Sequence, residues 1–272
     1  MIPPRRELAA GAGWRALDIV CSAGPADARV EEWYDAVNIA LVMDGTFNYR
    51  SVQGAATLAP GGIVLGNYGV CFECGHEHTI GDRCLAFHFA PAVFEEVLSS
   101  TPGVRSFAFA PASLPPLDVT VRLLAAAETA RDEDDAETLE ELAFYAASHI
   151  AAMAAGADVN TKAARAADAR RIAEAIRRIE ADLSHRFTLA GLAREAGMSR
   201  YHFLRVFREV AGVTPHQFVL GRRMHRAAVR LRKTALPVAE IAFDEGFEDL
   251  STFNRRFRKV MGATPTAWRA QR

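Results

Sequence analysis

The sequence predicts an α+β protein of two domains: an N-terminal domain of short strands with flanking helices, and an all-α C-terminal domain. Three observations carry this. Apolar runs punctuated by Gly and Pro dominate the chain up to about residue 90, and no strand pattern survives after Ala163. Charge is segregated: residues 1–160 hold 9 Lys+Arg against 22 Asp+Glu, a net −13, whereas residues 161–272 hold 23 against 11, a net +12. The basic half also contains an internal repeat. Its charge suits a polyanion, and that of the acidic half does not.

A chain of 272 residues, 50% of them hydrophobic, is long enough for two separate cores. No apolar run approaches the roughly 20 residues needed to cross a bilayer, so no membrane role is expected. Met1 to Glu7 carries Arg5 and Arg6 with no apolar stretch behind them, so no secretory signal is expected either. Four cysteines are too few for a disulfide scaffold and predict a reducing, cytoplasmic setting.

Val37 to Met43 is a short apolar run, and Asp44-Gly45 followed by Phe47-Asn48-Tyr49 predicts a hairpin after it. Leu58 to Gly66 gives another turn leading into a strand. Val70 to His78 and Arg83 to Phe89 form a further pair joined around Gly81-Asp82. Such strands build a barrel or a sandwich. After Pro91 the period becomes helical, with a short helix over Ala92–Ser99 and longer ones over Asp118–Ala130 and Ala136–Ala155. In the last of these, Leu139, Leu142, Ala146, Ile150 and Met153 form one stripe, which fits either packing on its own domain or a dimer seam. The acidic run Asp132–Asp135 reads as a solvated loop and helix start. A polar, Gly-containing break at 156–162 coincides with the charge reversal. The expected domains are therefore 1–157 and 167–272, with a linker at 158–166.

In the basic half, one copy of the repeat runs from Phe187 to Pro215 and a second from Leu236 to Pro265. Gly197 matches Gly246, and Phe203, Phe207, Arg208, Gly212, Thr214 and Pro215 match Phe253, Phe257, Arg258, Gly262, Thr264 and Pro265 with one inserted residue. Each copy has the parts of a helix-turn-helix: small residues for close packing (Leu192-Ala193, Ile241-Ala242), a Gly for the turn, and Ser199 or Asp249 to cap the second helix. Phe203, Phe207 and Val210 share one face of that helix, as do Phe253, Phe257 and Val260, and are assigned to the core. The opposite face carries Arg200, Tyr201, Leu204, Arg205 and Arg208 in copy one, and Leu250, Ser251, Asn254, Arg255 and Arg258 in copy two. Arg suits the guanine edge, Asn the adenine edge, and Leu or Tyr a thymine methyl. Pro215 to Lys233 reads as one connecting helix whose apolar face is Phe218, Met224, Ala228 and Leu231. At 1.5 Å per residue it spans roughly 28 Å, near one turn of DNA. Arg222, Arg223, Arg226, Arg230 and Arg232 along it are candidates for phosphate contact or for covering the core with their stems.

The run from Ile241 to Pro265 resembles the signature of the AraC/XylS transcriptional regulators, and the resemblance extends over about Arg170 to Trp268. Leu58 to Leu65 (LAPGGIVL) is similar to the cupin-type effector domains common in that family. The resemblance implies an N-terminal cupin-like β-barrel and a C-terminal domain with two helix-turn-helix subdomains. It further implies binding to double-stranded promoter DNA and control of transcription, usually activation, with RNA polymerase as a partner and a homodimer through the N-terminal helices. Tyr201, Leu204 and Arg205, and Leu250, Ser251, Asn254 and Arg255, fall where the family's two recognition helices touch bases. Leu stands at 204 and 250, where polar readers are common.

Cys71, Cys74, His76, His78 and Cys84 gather thiol and imidazole within 14 residues, the ligands that zinc and other thiophilic metals prefer. Along a strand Cys74, His76 and His78 share a face, and Cys84 joins them or turns away according to whether the hairpin loop has three residues or two. The same residues also suit a thiol-reactive sensor, the lining of a pocket for a small-molecule effector, or plain core packing. Two enzyme-like alternatives fit fewer residues. A cupin metalloenzyme would draw on Glu73, Glu77 and His88 but lacks a matching earlier His/Glu motif, and a Cys-based repair protein fused to a DNA-binding region would need a cysteine in the basic half. The expectation is a regulator, not an enzyme, whose effector is sensed in the N-terminal domain.

Overall fold

The computed structural model describes residues 4–27, 29–76, 81–101, 104, 108–116, 118–155, 166–211 and 213–270. His78, nearly all of the expected linker and Gly212 lie outside them. The chain divides into two compact units, residues 1–162 with 199–202, and residues 163–198 with 203–272.

The first unit opens with β1 (Arg5–Gly11), β2 (Trp14–Cys21), β3 (Val30–Trp33), β4 (Val37–Gly45), β5 (Phe47–Ser51), β6 (Gly54–Leu58), β7 (Ile63–Gly66), β8 (Cys71–Gly75) and β9 (Asp82–Phe89). Helix α1 (Pro91–Ser99), the short β10 (Ser113–Leu114), α2 (Asp118–Asp132) and α3 (Ala136–Ala154) follow. The strands make two antiparallel sheets, ordered β1-β2-β9-β4-β7-β10 and β3-β8-β5-β6. Alternation along each strand assigns its residues to two faces. On the larger sheet Leu17, Ala40, Val42, Val64, Cys84 and Ala86 meet Tyr34, Phe47, Tyr49 and Leu58 of the smaller one. The other face carries Trp14 and Phe89, which meet Phe144 of α3 edge-on, and Phe89 also packs on Phe94 of α1. Covered on both sides, β4 is buried continuously from Val37 to Val42, which explains its unbroken apolar run.

Three expectations change here. The described strands lie in two separate sheets, so the cupin-like closed barrel is replaced by an open two-sheet sandwich. The hairpin predicted across Asp44-Gly45 does not form: β4 pairs with β7 and β9, while β5 pairs with β6 and β8 in the other sheet. Gly45, at φ 82°, is the corner where the chain changes sheets. The two-residue hairpin is instead β5–β6, closed by Val52-Gln53 between Ser51 and Gly54. Likewise β8 and β9 belong to different sheets, so neither loop length considered for Cys84 applies. Helix α3 packs on its own sheet through Phe144, while of the predicted stripe Leu139, Ala146 and Ile150 are buried and Leu142 and Met153 half-buried. Asp135 caps that helix by accepting a hydrogen bond from the Thr138 amide at 3.2 Å.

The second unit is helical throughout its described residues: α4 (Ala166–Ala181), α5 (Leu189–Glu195), α6 (Arg200–Ala211), α7 (Pro215–Lys233), α8 (Val238–Asp244), α9 (Leu250–Met261) and α10 (Pro265–Ala270). The connecting helix α7 has the expected bounds, starting at a capping box between Thr214 and Gln217 with Pro at its first turn. Around its C-terminal half, Met224, Ala227, Ala228 and Leu231 pack with Ile241, Ala242, Phe253 and Phe257. The face is richer than expected: Val219 and Ala227 are buried as well, and Phe218, half-buried, meets Phe207 edge-on. Val210 and Val260, expected in the core, are 41% and 49% exposed, because each sits in the last turn of its helix beyond the packed Phe pair.

Candidate nucleic-acid interface and interior cavity

Both helix-turn-helix copies are built as the repeat implies. The turn glycines Gly197 and Gly246 take φ 63° and 81°. Asp249 accepts from the Thr252 amide at 2.7 Å, and the Ser199 hydroxyl accepts from the His202 amide at 3.2 Å. The aromatic pairs behind the second helices, Phe203–Phe207 and Phe253–Phe257, are fully buried. Each buried Phe contributes on the order of 2–3 kcal/mol, which holds the opposite face in a fixed direction.

On α9 that face is Leu250, Ser251, Asn254, Arg255 and Arg258, one stripe at helical spacing; all but the half-buried Leu250 are exposed. On α6 the corresponding stripe differs. Arg208 is exposed and Arg200 half-buried, Arg205 is paired with Glu209 at 2.6 Å, and Tyr201 and Leu204 are only 4% and 2% exposed. The two copies share a scaffold without presenting equal surfaces.

The arginines of α7 turn inward to their own unit. Arg222 forms a two-pronged pair with Glu180 at 2.5 and 3.0 Å. Arg223 donates to three carbonyls, those of Leu183 (2.7 Å), His185 (2.8 Å) and Gly246 (3.1 Å), and so ties the loop before α5 to the turn before α9. Arg226 and Arg230 each approach the fully buried Glu245 carboxylate at 3.0 Å, and Arg230 also reaches Asp244 at 2.6 Å. Arg232 lies over the Trp268 ring, 4.1 Å from its centroid. These contacts brace the unit, a role beside the two that the sequence left open; of those two, Arg232 over the Trp268 ring is an instance of covering the core.

Between the two sheets of the first unit lies a cavity of about 500 Å³. Tyr34, Phe47, Tyr49 and Phe72 line it, and so do Cys21, Cys74, Cys84, His76, Asp82 and His88. Of the predicted cluster, Cys74, His76 and Cys84 therefore converge on one space. Cys71, three residues from Cys74, falls on the other face of β8 and does not line it. The structure adds two residues that spacing along the chain did not reveal. Cys21 of β2 is the register partner of Asp82 of β9, and their ligand atoms and that of His76 all lie within 4.8 Å of one another. His76 Nε2 and Asp82 Oδ1 are 2.7 Å apart, and the Cys84 thiol donates to Asp82 Oδ2 at 3.4 Å. Only strand pairing could have revealed this, since Cys21 stands alone in the sequence.

Burial pushes the thiols of Cys21, Cys74 and Cys84 up, with the nearby Asp82 carboxylate adding to the shift, so all three are neutral at ordinary pH. Burial likewise lowers His88 to about 4, assisted by Arg15, whose guanidinium donates to His88 Nδ1 at 3.3 Å. The cavity is thus lined by neutral thiols, the neutral His88 ring, the His76 ring, aromatic rings and carboxylates. It can take a soft metal ion or a small organic molecule. Among the described residues, no helix is long and apolar enough to cross a membrane.

Residues 192–271 match a family described as a helix-turn-helix domain. The Transposon Tn10 TetD protein of Escherichia coli is 36% identical over 91 residues, covering 34% of this chain and 66% of TetD. The right origin-binding protein of Escherichia coli K12 is 35% identical over 91 residues, so the match spans about a third of that relative (32%) and 34% of this chain. The HTH-type transcriptional activator AarP of Providencia stuartii is 33% identical over 98 residues, 36% of this chain and 73% of AarP.

Proposed function

The chain belongs to the AraC/XylS family of transcriptional regulators, and we propose that it activates transcription by reading promoter DNA with α9 and α6 under the control of an effector held in its N-terminal two-sheet sandwich. The observation that carries the DNA reading is the stripe of Ser251, Asn254, Arg255 and Arg258, exposed on the side of α9 opposite two buried Phe rings. Asn254 suits the adenine edge and Arg255 the guanine edge, and Arg258, one turn further, suits a phosphate. The helix α7, 19 residues long, fits two recognition helices to successive major grooves on one face of the duplex.

The cavity supports the effector reading: a partly open space of mixed apolar and sulfur-rich lining between two sheets suits a small ligand. Release of such a ligand changes the conformational preference of the first unit and, through it, transcription. RNA polymerase and a second copy of the chain, engaged through the first unit's helices, complete the proposal. The protein is a regulator and not an enzyme in this reading.

The test is Arg255→Ala, measured against the specific site and against random DNA of equal length. Affinity for the specific site falls by about 1–3 kcal/mol, roughly 5- to 150-fold, and far less for random DNA. An equal loss on both duplexes assigns Arg255 to phosphate and removes it from base reading.

A further inference from the structure

We propose that the first unit carries a site for a thiophilic divalent metal ion, zinc in its simplest form, held by Cys21 Sγ, His76 Nε2 and a carboxylate oxygen of Asp82. Three observations converge on it. The three ligand atoms lie within 4.8 Å of one another, close enough to surround one ion. They come from β2, from the residue that follows β8, and from the first residue of β9, so folding alone assembles them. They line an interior cavity that also contains the thiols of Cys74 and Cys84, which brings three of the chain's four cysteines to one space. A mixed sulfur, nitrogen and oxygen set with an open fourth position is the donor chemistry that zinc accepts, and the Cys84 thiol, 3.4 Å from Asp82 Oδ2, is a protein donor beside that position.

The ion takes the place of the hydrogen bond now joining His76 Nε2 to Asp82 Oδ1. A metal–sulfur bond forms at Cys21 as its S–H bond breaks and the proton passes to solvent. Nε2 becomes a ligand once the neutral ring carries its single proton on Nδ1. No electrons change hands, and uptake releases protons as metal binding to thiols requires. Cys71 takes no part.

The proposal names the effector class of the reading above and rests on that reading only for the consequence to DNA; coordination is testable without DNA. The full chain, reduced and stripped with chelator, is titrated with cobalt(II). One equivalent is expected to bind with a thiolate-to-cobalt charge-transfer band, and zinc is expected to displace it. Cys21→Ser loses the band, and both it and His76→Ala lose at least tenfold in affinity, whereas Cys71→Ser keeps the band and the affinity. Asp82→Asn is the substitute variant should Cys21→Ser fail to give the wild-type thermal melt. No uptake by the wild type, or loss in Cys71→Ser equal to that in Cys21→Ser, overturns the site. Promoter affinity is then measured with and without zinc. An unchanged affinity with metal bound supports the site and removes metal control of transcription.

Discussion

Burial holds the His88 imidazole well below its ordinary value, and the consequence is a pH dependence. Its folded value is about 4 against 6.5 in the unfolded chain. Below pH 6.5 the unfolded chain takes a proton that the folded ring refuses, so stability is full above that pH and falls as pH drops toward 4. The loss reaches about 3 kcal/mol for the first unit. Acid unfolding of His88→Gln followed by circular dichroism is expected to lack this slope; the wild-type slope persisting in the variant refutes the assignment. At the turns, a second contrast between like residues is measurable. A Cβ at Gly197 meets nothing within 4 Å, whereas one at Gly246 lies 2.6 Å from the Ser184 carbonyl oxygen. Gly197→Ala therefore costs about 1–2 kcal/mol from its left-handed backbone alone, and Gly246→Ala costs more. Equal losses on chemical denaturation contradict the added clash. Single residues at turns and caps were readable from the sequence because each answers to its own backbone, as Gly197, Gly246 and Asp249 do.

Among the elements, α7 does more than separate two modules. Its arginines brace the unit, and Arg223 joins the loop before α5 to the turn before α9, as the Arg186–Glu248 pair does at 3.1 Å. Replacing Arg223 leaves three carbonyls without that donor and loosens the angle between the two recognition helices. Arg223→Met is expected to cost about 1–3 kcal/mol in stability and to weaken binding to a duplex carrying both half-sites more than to one carrying only the α9 half-site. Equal weakening on the two duplexes contradicts a bracing role. Helix bounds were legible because a 3.6-residue period and caps are local; α7 begins and ends where Pro215 and Lys233 suggest. Strand partners were not. The alternation in Phe47-Asn48-Tyr49 reveals which side is buried but carries no information about which strand lies beside it, so the corner at Gly45 reads like a hairpin turn.

At the scale of the molecule, two halves of opposite charge have two different interiors, and each was legible to a different depth. The duplicated half could be checked against itself, copy against copy, which makes the exposed stripe of α9 visible in the sequence. The first half holds its cavity between strands distant in the chain, and only the pairing of β2 with β9 brings Cys21 to Asp82. A search confined to the stretch from Cys71 to Cys84 finds the right space and two of its three thiols, and includes Cys71, which strand alternation turns away.

The inward-facing arginines of α7 carry a last implication. Composition advertises the second half as a strong lure for any polyanion, yet Arg222, Arg226 and Arg230 are matched to carboxylates of their own unit. Those charges cancel where they stand and cast little field outward. The protein should therefore linger less on arbitrary stretches of a chromosome than its arginine count suggests, leaving discrimination between sequences to the side chains its recognition helices present.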